Sequence, residues 1–276
     1  MAITAIAGRL LQVRGSSEVY LVVHPISCAP MTRNGRLLII GALSRLGYEE
    51  QARHLYASRT ARGRRGLKDD RQLAFFMASV LTADSNCIDV GANQGAILAQ
   101  IVALAPEGQH LAFEPLPQLA SSLRERFPMV DVRDAALADT DGETTFYVSD
   151  TSDEWSGIQR REWLDTTYRE ITVPVRTLDE SAIHVPRVDF LKIDVEGAQV
   201  LVLRGAEGIL SRDHPMIWIE HGARSAQAHN TTSADLWEVL RRHGYRVWTA
   251  DGDGPLDLPS FIATNEIPIW TYMAHR

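Results

Sequence analysis

The sequence predicts an α/β protein with a mostly parallel sheet covered by helices on both faces. Two observations lead there. From Asp70 onward short apolar strands alternate with helical patterns, and two of those strands, VDFLKID and MIWIEHG, are apolar almost throughout. A strand that is followed by a helix returns to its sheet in parallel, and a strand covered on both faces has no solvent side to keep polar. In such sheets ligands bind outside the carboxyl ends of the strands, near the point where strand order reverses.

The elements follow in order. DRQLAFFMASVL reads as a helix and NCIDV as the first strand of the sheet. GAILAQIVALA is a helix, with Ile97, Leu98, Ile101, Val102 and Ala105 on one face. HLAFE is the next strand and PQLASSLRERF the next helix, with Pro117 suited to its first turn. VDVRDAAL, ETTFYVS and ITVPVRT read as strands or hairpin arms. VDFLKID is a buried strand interrupted only by Lys192, with VEGAQVLVLRGAEGIL as the helix behind it, and MIWIEHG is another. Ser233 caps the helix ADLWEVLRRH, Gly244 stops it, and YRVWTA and IPIWTYMA supply the last strands.

Residues 1–69 differ in character and read as an N-terminal extension or cap, with residues 70–276 as the main domain. The extension holds two apolar runs, VYLVVHPISCAP and RLLIIGALSRLGY, and Leu37, Leu38, Ile40 and Leu43 of the second approach helical spacing. The basic stretch after them (Arg59, Arg62, Arg64, Arg65, Lys68) reads as a solvated helix face, with reception of an anionic partner as the alternative. A net charge of -7 argues against broad binding to nucleic acid, which needs a basic surface. Cys28 and Cys87 alone imply no disulfide framework and fit a reducing compartment. The N-terminus lacks the basic start of a signal peptide, and no uncharged apolar run reaches the roughly 18 residues of a membrane helix. The chain reads as soluble and cytoplasmic.

CIDVGANQG is where chemistry first announces itself. Gly91 permits a sharp turn and close approach of a ligand to the backbone, and Gly95 lets the next helix pack tightly. A dinucleotide turn, GxGxxG, wants a glycine where Asn93 stands, because the pyrophosphate presses there. Asparagine is awkward for pyrophosphate and tolerable for a ligand without phosphate. Glu114, at the end of HLAFE, is placed to accept hydrogen bonds from ribose hydroxyls. A nucleoside with a zwitterionic amino-acid arm fits both features. S-adenosylmethionine (SAM) is such a molecule, and Asp89 faces its ammonium directly or through water.

DVGANQG, FEP, DAALAD before a hairpin, RTLDE, DFLKIDVEGAQVLVLRGA and PMIWIEHG together resemble the FkbM-type SAM-dependent methyltransferases. The resemblance covers residues 70–222 well and leaves the first 60 or so residues outside it. It implies a Rossmann-like class I SAM-dependent methyltransferase fold with a seven-stranded sheet. It implies that Asp89, Gly91, Ala92, Asn93 and Gly95 surround the methionine arm and that Glu114 holds the ribose. Pro115 then packs near the adenine, with Asp134 and Ala135 at its border. Gln199 departs from the glutamate usual after EGA and reads as structural. Family members methylate hydroxyls of sugars, polyketides and related secondary metabolites, so an O-methyltransferase is implied.

Methyl transfer to a hydroxyl needs an aligned acceptor, exclusion of water and help in removing a proton. Asp194 ends LKID, and Glu220 with His221 ends IWIEH. If those strands are neighbours, these groups converge on one acceptor, with His221 or Asp194 as the base. Glu196, near a helix start, reads as structural, and Lys192 is assigned no role: it points to the sheet's other face or reaches a carboxylate. Mg²⁺ is considered and disfavoured, because Asp194 and Glu220 offer two oxygen ligands and no third is evident. Trp155 and Trp163, in TSDEWSGIQRREWLD, form either an acceptor lid or ordinary core. The expected partner is a small-molecule acceptor bearing a hydroxyl, with no nucleic acid and no membrane; self-association stays open. The alternatives are an NAD-linked oxidoreductase and a non-catalytic SAM-binding module.

Overall fold

The computed structural model describes residues 13–14, 19–20, 61–150, 156–159, 167–264 and 270–276. The chain divides into two compact units, Met1–Tyr56 and Ala57–Arg276. In the first, strands β1 (Val13–Arg14) and β2 (Val19–Tyr20) pair antiparallel. Of the apolar runs expected there, only Val19 and Tyr20 are among the described residues; the helix through Leu37–Leu43, Cys28 and Arg59 lie outside them, as do Trp155 and Trp163.

In the second unit, α1 (Ala61–Val80) precedes β3 (Cys87–Val90), α2 (Ala96–Leu104), β4 (Leu111–Phe113), α3 (Pro117–Arg126) and β5 (Asp131–Arg133). Next come β6 (Ala136–Leu137), β7 (Gly142–Ser149), β8 (Tyr168–Arg176), α4 (Leu178–Ser181) and β9 (Phe190–Ile193). The chain continues through α5 (Gln199–Arg204), α6 (Glu207–Arg212), β10 (Met216–Glu220), α7 (Ala223–Gln227) and α8 (Ser233–Arg242). It closes with β11 (Arg246–Thr249), α9 (Leu258–Thr264) and β12 (Thr271–His275). Seven strands form one sheet in the order β11-β12-β10-β9-β3-β4-β5, in which β12 alone runs antiparallel to its neighbours. From β3 the chain builds outward through β4 and β5, then returns to place β9 and β10 on the other side. The order therefore reverses between β3 and β9, and that crevice is where a ligand is expected. A second sheet, β6-β8-β7, carries the hairpin arms.

Several local details differ from expectation for definite reasons. The long helix behind β9 breaks into α5 and α6 at Gly205, where a side chain would overlap the Ala138 carbonyl. Thr232, not Ser233, caps α8: its hydroxyl accepts from Asp235 N–H at 3.1 Å, and the Asp235 carboxylate accepts from Thr232 N–H at 2.8 Å. Gly244, at φ 82°, ends that helix as expected. Helix α1 begins well before residue 70 and lies wholly within the second unit. The expected boundary at 69/70 therefore cuts through a helix.

Two faces of the sheet carry different loads. On one, Ile88, Val90, Leu191, Ile193, Ile217 and Ile219 join a single core cluster with residues of α5, α6, α8 and α9. On the other, Cys87, Phe190 and Trp218 meet Leu73 and Met77 of α1 and Ile101 of α2. Phe76 lies tilted against both Phe190 and Trp218, with ring centroids 6.3 and 5.7 Å away.

In the basic stretch at the start of α1, Arg64 and Lys68 are exposed as composition suggests, whereas Arg65 is not. Arg65 Nη1 and Lys68 Nζ each reach the Asp251 carboxylate at 2.6 Å, and Gln72 Nε2 donates to it at 2.7 Å. Arg65 also pairs with Asp69 at 2.8 Å, and Asp69 accepts from Thr271 Oγ1 at 3.1 Å. These positions share one helix face and dock it on the turn after β11 and on β12. Burial works against the Asp251 charge, but hydrogen bonds from Lys68, Gln72 and Arg65 outweigh it and bring its pKa to about 2. A depressed carboxylate stabilises the fold above its unfolded pKa, and this contribution is lost as pH falls through the folded one. Asp251→Asn should cost about 1–3 kcal/mol in urea unfolding near neutral pH, and the gap to wild type should close between about pH 4 and about pH 2.

Candidate active site

The carboxyl end of β3 opens directly into the glycine turn. Gly91 and Gly95 both have φ 78° and Asn93 has φ 48°, so left-handed residues recur at every second position. Asparagine tolerates that conformation better than other non-glycine residues, which explains its presence between the glycines. A side chain at Gly91 would overlap the Asp194 carbonyl oxygen, because the ends of β3 and β9 touch there. At Gly95 a Cβ would lie 2.5 Å from Leu123 and 2.9 Å from Phe127, so this glycine serves packing of the turn against α3.

The turn's N–H groups are largely committed. Gly91 and Ala92 N–H both donate to Phe113 O at 3.0 Å, and Gly95 N–H donates to Ala92 O at 2.8 Å. Asn93 N–H donates to Glu114 Oε2 at 2.8 Å, while Leu116 N–H donates to Glu114 Oε1 at 2.9 Å. Glu114 thus occupies the place an anionic ligand group would want, which disfavours a pyrophosphate at this turn. Its carboxylate keeps further lone pairs for hydroxyl donors. Burial pushes the Glu114 pKa up to about 6 against the pull of the Leu116 and Asn93 N–H groups. Pro115 is half-buried beside it. Ala135 is buried, whereas Asp134 is exposed and ion-paired with Arg124 at 2.8 Å.

Strand register settles which side chains meet at the crevice. Asp89 is directly opposite Lys192, and Lys192 opposite Trp218, so all three lie on the α1-covered face. Glu220 follows Trp218 by two residues at the end of β10, and Asp194 follows Lys192 by two just past the end of β9. One face of the sheet therefore runs from apolar at the strand starts to charged at their ends. Lys192 does reach a carboxylate: its Nζ lies 3.0 Å from Asp89 Oδ1 and 3.9 Å from Asp194 Oδ2. Asp89 is fully buried, and Asp194 keeps 36% of its side chain exposed. Gln199, also buried, donates from Nε2 to the Glu220 carbonyl at 2.6 Å and ties α5 to the end of β10. Glu196 has φ 55° and precedes Gly197, where a Cβ would fall 2.5 Å from Ser225 O.

His221 stands apart from this group. It is 0% exposed, its Nε2 pairs with Ser233 Oγ at 2.9 Å, and its ring stacks on Phe261 at 6.1 Å between centroids. Burial pulls its pKa down to about 4. Its Nδ1 is buried without a hydrogen-bond partner among the described residues, and the ring as a whole is shut off from solvent. Glu220 is half-buried at the strand end. Among the described residues no group of three or more His, Cys, Asp and Glu side chains is disposed to hold a metal ion, and no helix is long and apolar enough to cross a membrane.

The strand order, the single antiparallel strand and a glycine turn at the reversal point define a class I SAM-dependent methyltransferase fold. The Methyltransferase FkbM domain family model matches residues 89–247, more than half of the chain, and the chain belongs to that family. Its cofactor is SAM, and the residues suit a ligand without phosphate: the turn's N–H groups are largely taken up, and the buried Glu114 and Asp89 stand beside it. Two curated proteins are similar. The AMB antimetabolite synthetase AmbE of Pseudomonas aeruginosa is 29% identical over 208 residues, 61% of this chain and 10% of that protein. Methyltransferase 1 of Beauveria bassiana is 29% identical over 147 residues, 45% of this chain and 59% of that protein. This chain therefore matches only part of the length of either relative.

Solved structures are similar at lower identity. A methyltransferase FkbM from Methylobacillus flagellatus superposes with TM-score 0.43 at 16% identity, covering 71% of this chain and 44% of that one. A TehB-like SAM-dependent methyltransferase from Corynebacterium glutamicum gives TM-score 0.41 at 15% identity, covering 80% and 96%.

Glu114 supplies a direct check on the cofactor seat. Protonation below about pH 6 removes its charge and one acceptor, so calorimetric titration with S-adenosylhomocysteine should show weaker binding as pH falls through that value. Glu114→Gln should bind about tenfold more weakly at neutral pH and lose this pH dependence.

Proposed function

We propose that the protein is an O-methyltransferase that acts on a hydroxyl of a small molecule, of the sugar, glycoside or polyketide kind. The observation that carries this reading is the shared face of Asp194 and Glu220 at adjoining strand ends, beside the glycine turn. SAM, when bound, supplies a methyl activated by positive sulfur. The work left to the chain is to hold the acceptor oxygen, exclude water and take a proton.

Asp194 is the group best suited to the last task. Its carboxylate is partly exposed, it follows directly on β9, and its main-chain N–H is fixed by Val90 O at 3.0 Å. Glu220, one strand over, orients the hydroxyl or shares its proton. Asp89, Gly91, Ala92, Asn93, Gly95, Glu114 and Pro115 form the cofactor side in this reading. Ala135 borders the adenine, with Asp134 beside it and paired with Arg124 at 2.8 Å. The committed N–H groups of the turn support a ligand without phosphate, and with it methyl transfer over hydride transfer.

Transfer of labelled methyl into candidate glycosides and polyketide alcohols tests the acceptor class. Asp194→Asn should lower kcat about a hundredfold or more while S-adenosylhomocysteine affinity stays within about threefold, since proton abstraction fails and the cofactor side is intact. His221→Phe should lower thermal stability yet leave kcat within a few-fold. Loss of turnover in His221→Phe with full turnover in Asp194→Asn would reverse the assignment of the base. Turnover unchanged after EDTA treatment would agree with a metal-free mechanism, and its loss and recovery on adding Mg²⁺ would refute one.

A further inference from the structure

Lys192 is the buried charge to which the sequence pattern gives no task. It is 6% exposed and sits one strand away from Asp89, whose side chain is 0% exposed. Its Nζ donates to Gly91 O at 2.7 Å and lies 3.5 Å from Val90 O, besides its approach to Asp89 at 3.0 Å and Asp194 at 3.9 Å. Neither Asp89 oxygen has a well-formed hydrogen bond among the described residues, so its charge rests on this ammonium. Burial opposes the charge of Lys192, yet Asp89 and then Asp194 outweigh it and hold its pKa above the ordinary value.

We propose that Lys192 is a positioning residue for the cofactor turn. Its ammonium keeps the sealed Asp89 carboxylate charged and ties it, with the Gly91 carbonyl, to the end of β9. The cofactor thus meets a turn whose carbonyl direction and negative field are already set. The inference rests on the cofactor seat and not on the identity of the acceptor. It also explains why the touching ends of β3 and β9 need a cation: Asp89, Asp194, Glu114 at the end of β4 and Glu220 at the end of β10 all surround this point. The Cys87 thiol, two residues back on β3, is pushed up to about 12, first by burial and then by Asp189 and Asp89, so it stays neutral there.

A brace between two strands would weaken binding equally at every pH, whereas a counter-ion for Asp89 leaves a titration behind when it is removed. The test is calorimetric titration of S-adenosylhomocysteine into wild type and Lys192→Met from about pH 6.5 to about pH 8.5, with urea unfolding of the cofactor-free proteins alongside. Without the ammonium, the buried Asp89 takes up a proton at the acid end. Lys192→Met should then bind about tenfold or more weakly near pH 6.5 and recover toward wild type as pH rises. Its cofactor-free stability should move the other way. The folded variant holds a proton that the unfolded chain releases, so stability relative to wild type falls as pH rises. The double variant Asp89→Asn/Lys192→Met, with no buried charge left unpaired, should fold and should bind with no pH dependence over this range beyond the one Glu114 gives wild type. Wild-type affinity in Lys192→Met, a loss of affinity by the same factor throughout, or a double variant that does not fold would each overturn the proposal.

Discussion

A buried ammonium facing a buried carboxylate on the neighbouring strand is the constraint on which this site depends. Removing either charge from water is costly, and only close geometry with its opposite repays the loss. Asp89 and Lys192 satisfy that condition because β3 and β9 are adjacent, parallel and in register at these two residues. The same register brings the Gly91 carbonyl within reach of Lys192 and presses Gly91 against the Asp194 backbone. A side chain at position 91 would hold the strand ends apart and break the ion pair as well as the turn. Glycine and lysine are thus coupled requirements, although 101 residues separate them.

The rest of the second unit serves to keep that face half dry and half accessible. Near the strand starts Cys87, Phe190 and Trp218 are covered by α1 and α2. Near the strand ends the cover gives way to the crevice, and the side chains become acidic. Helix α1 can lie over the apolar half because its polar face is bound elsewhere, through Arg65, Lys68 and Gln72 to Asp251. Lost freedom in that helix is offset by charge-assisted hydrogen bonds at one end and aromatic packing at Phe76. Position of the helix and accessibility of the site are therefore linked through contacts far from the turn.

Much of this was legible in the chain. The alternation of strands and helices, the turn CIDVGANQG and the placing of Glu114 after the second strand of the sheet all have local causes, and a local pattern reveals them. The seven-stranded sheet follows from the same alternation once the family resemblance is added. What stayed hidden depends on pairs of residues remote in sequence. Lys192 acquires meaning only when its strand is known to lie beside β3, and Gly205 breaks a helix because Ala138 approaches it from elsewhere. His221 reads as an open strand-end group beside Glu220 until α8 and α9 close over it with Ser233 and Phe261. Composition likewise misreads Arg65, since a basic residue on a helix face is exposed or enclosed according to what the remainder of the fold presents to it. The cap of α8 was missed by one residue for a smaller reason: Thr232 and Ser233 are both good caps, and the carboxylate of Asp235 selects between them by distance.

Three carboxylates around one turn show how environment divides labour among like groups. Asp89 is sealed and lies against an ammonium, so it contributes a fixed negative field. Glu114 is sealed but bound by two backbone N–H groups, which hold its oxygens in place while burial leaves it close to protonation. Its remaining lone pairs are therefore available to hydroxyl donors at little cost in charge. Asp194 lies at the edge of the same ammonium's reach and is open to solvent over 36% of its side chain. Of the three it alone is open to solvent, and the proposed role in taking a proton rests on that difference. The separation is geometric before it is electrostatic. Two residues carry a carboxylate from the enclosed row of Asp89 and Lys192 to the rim, and in the proposed function that step separates a group at the cofactor turn from one beside the acceptor.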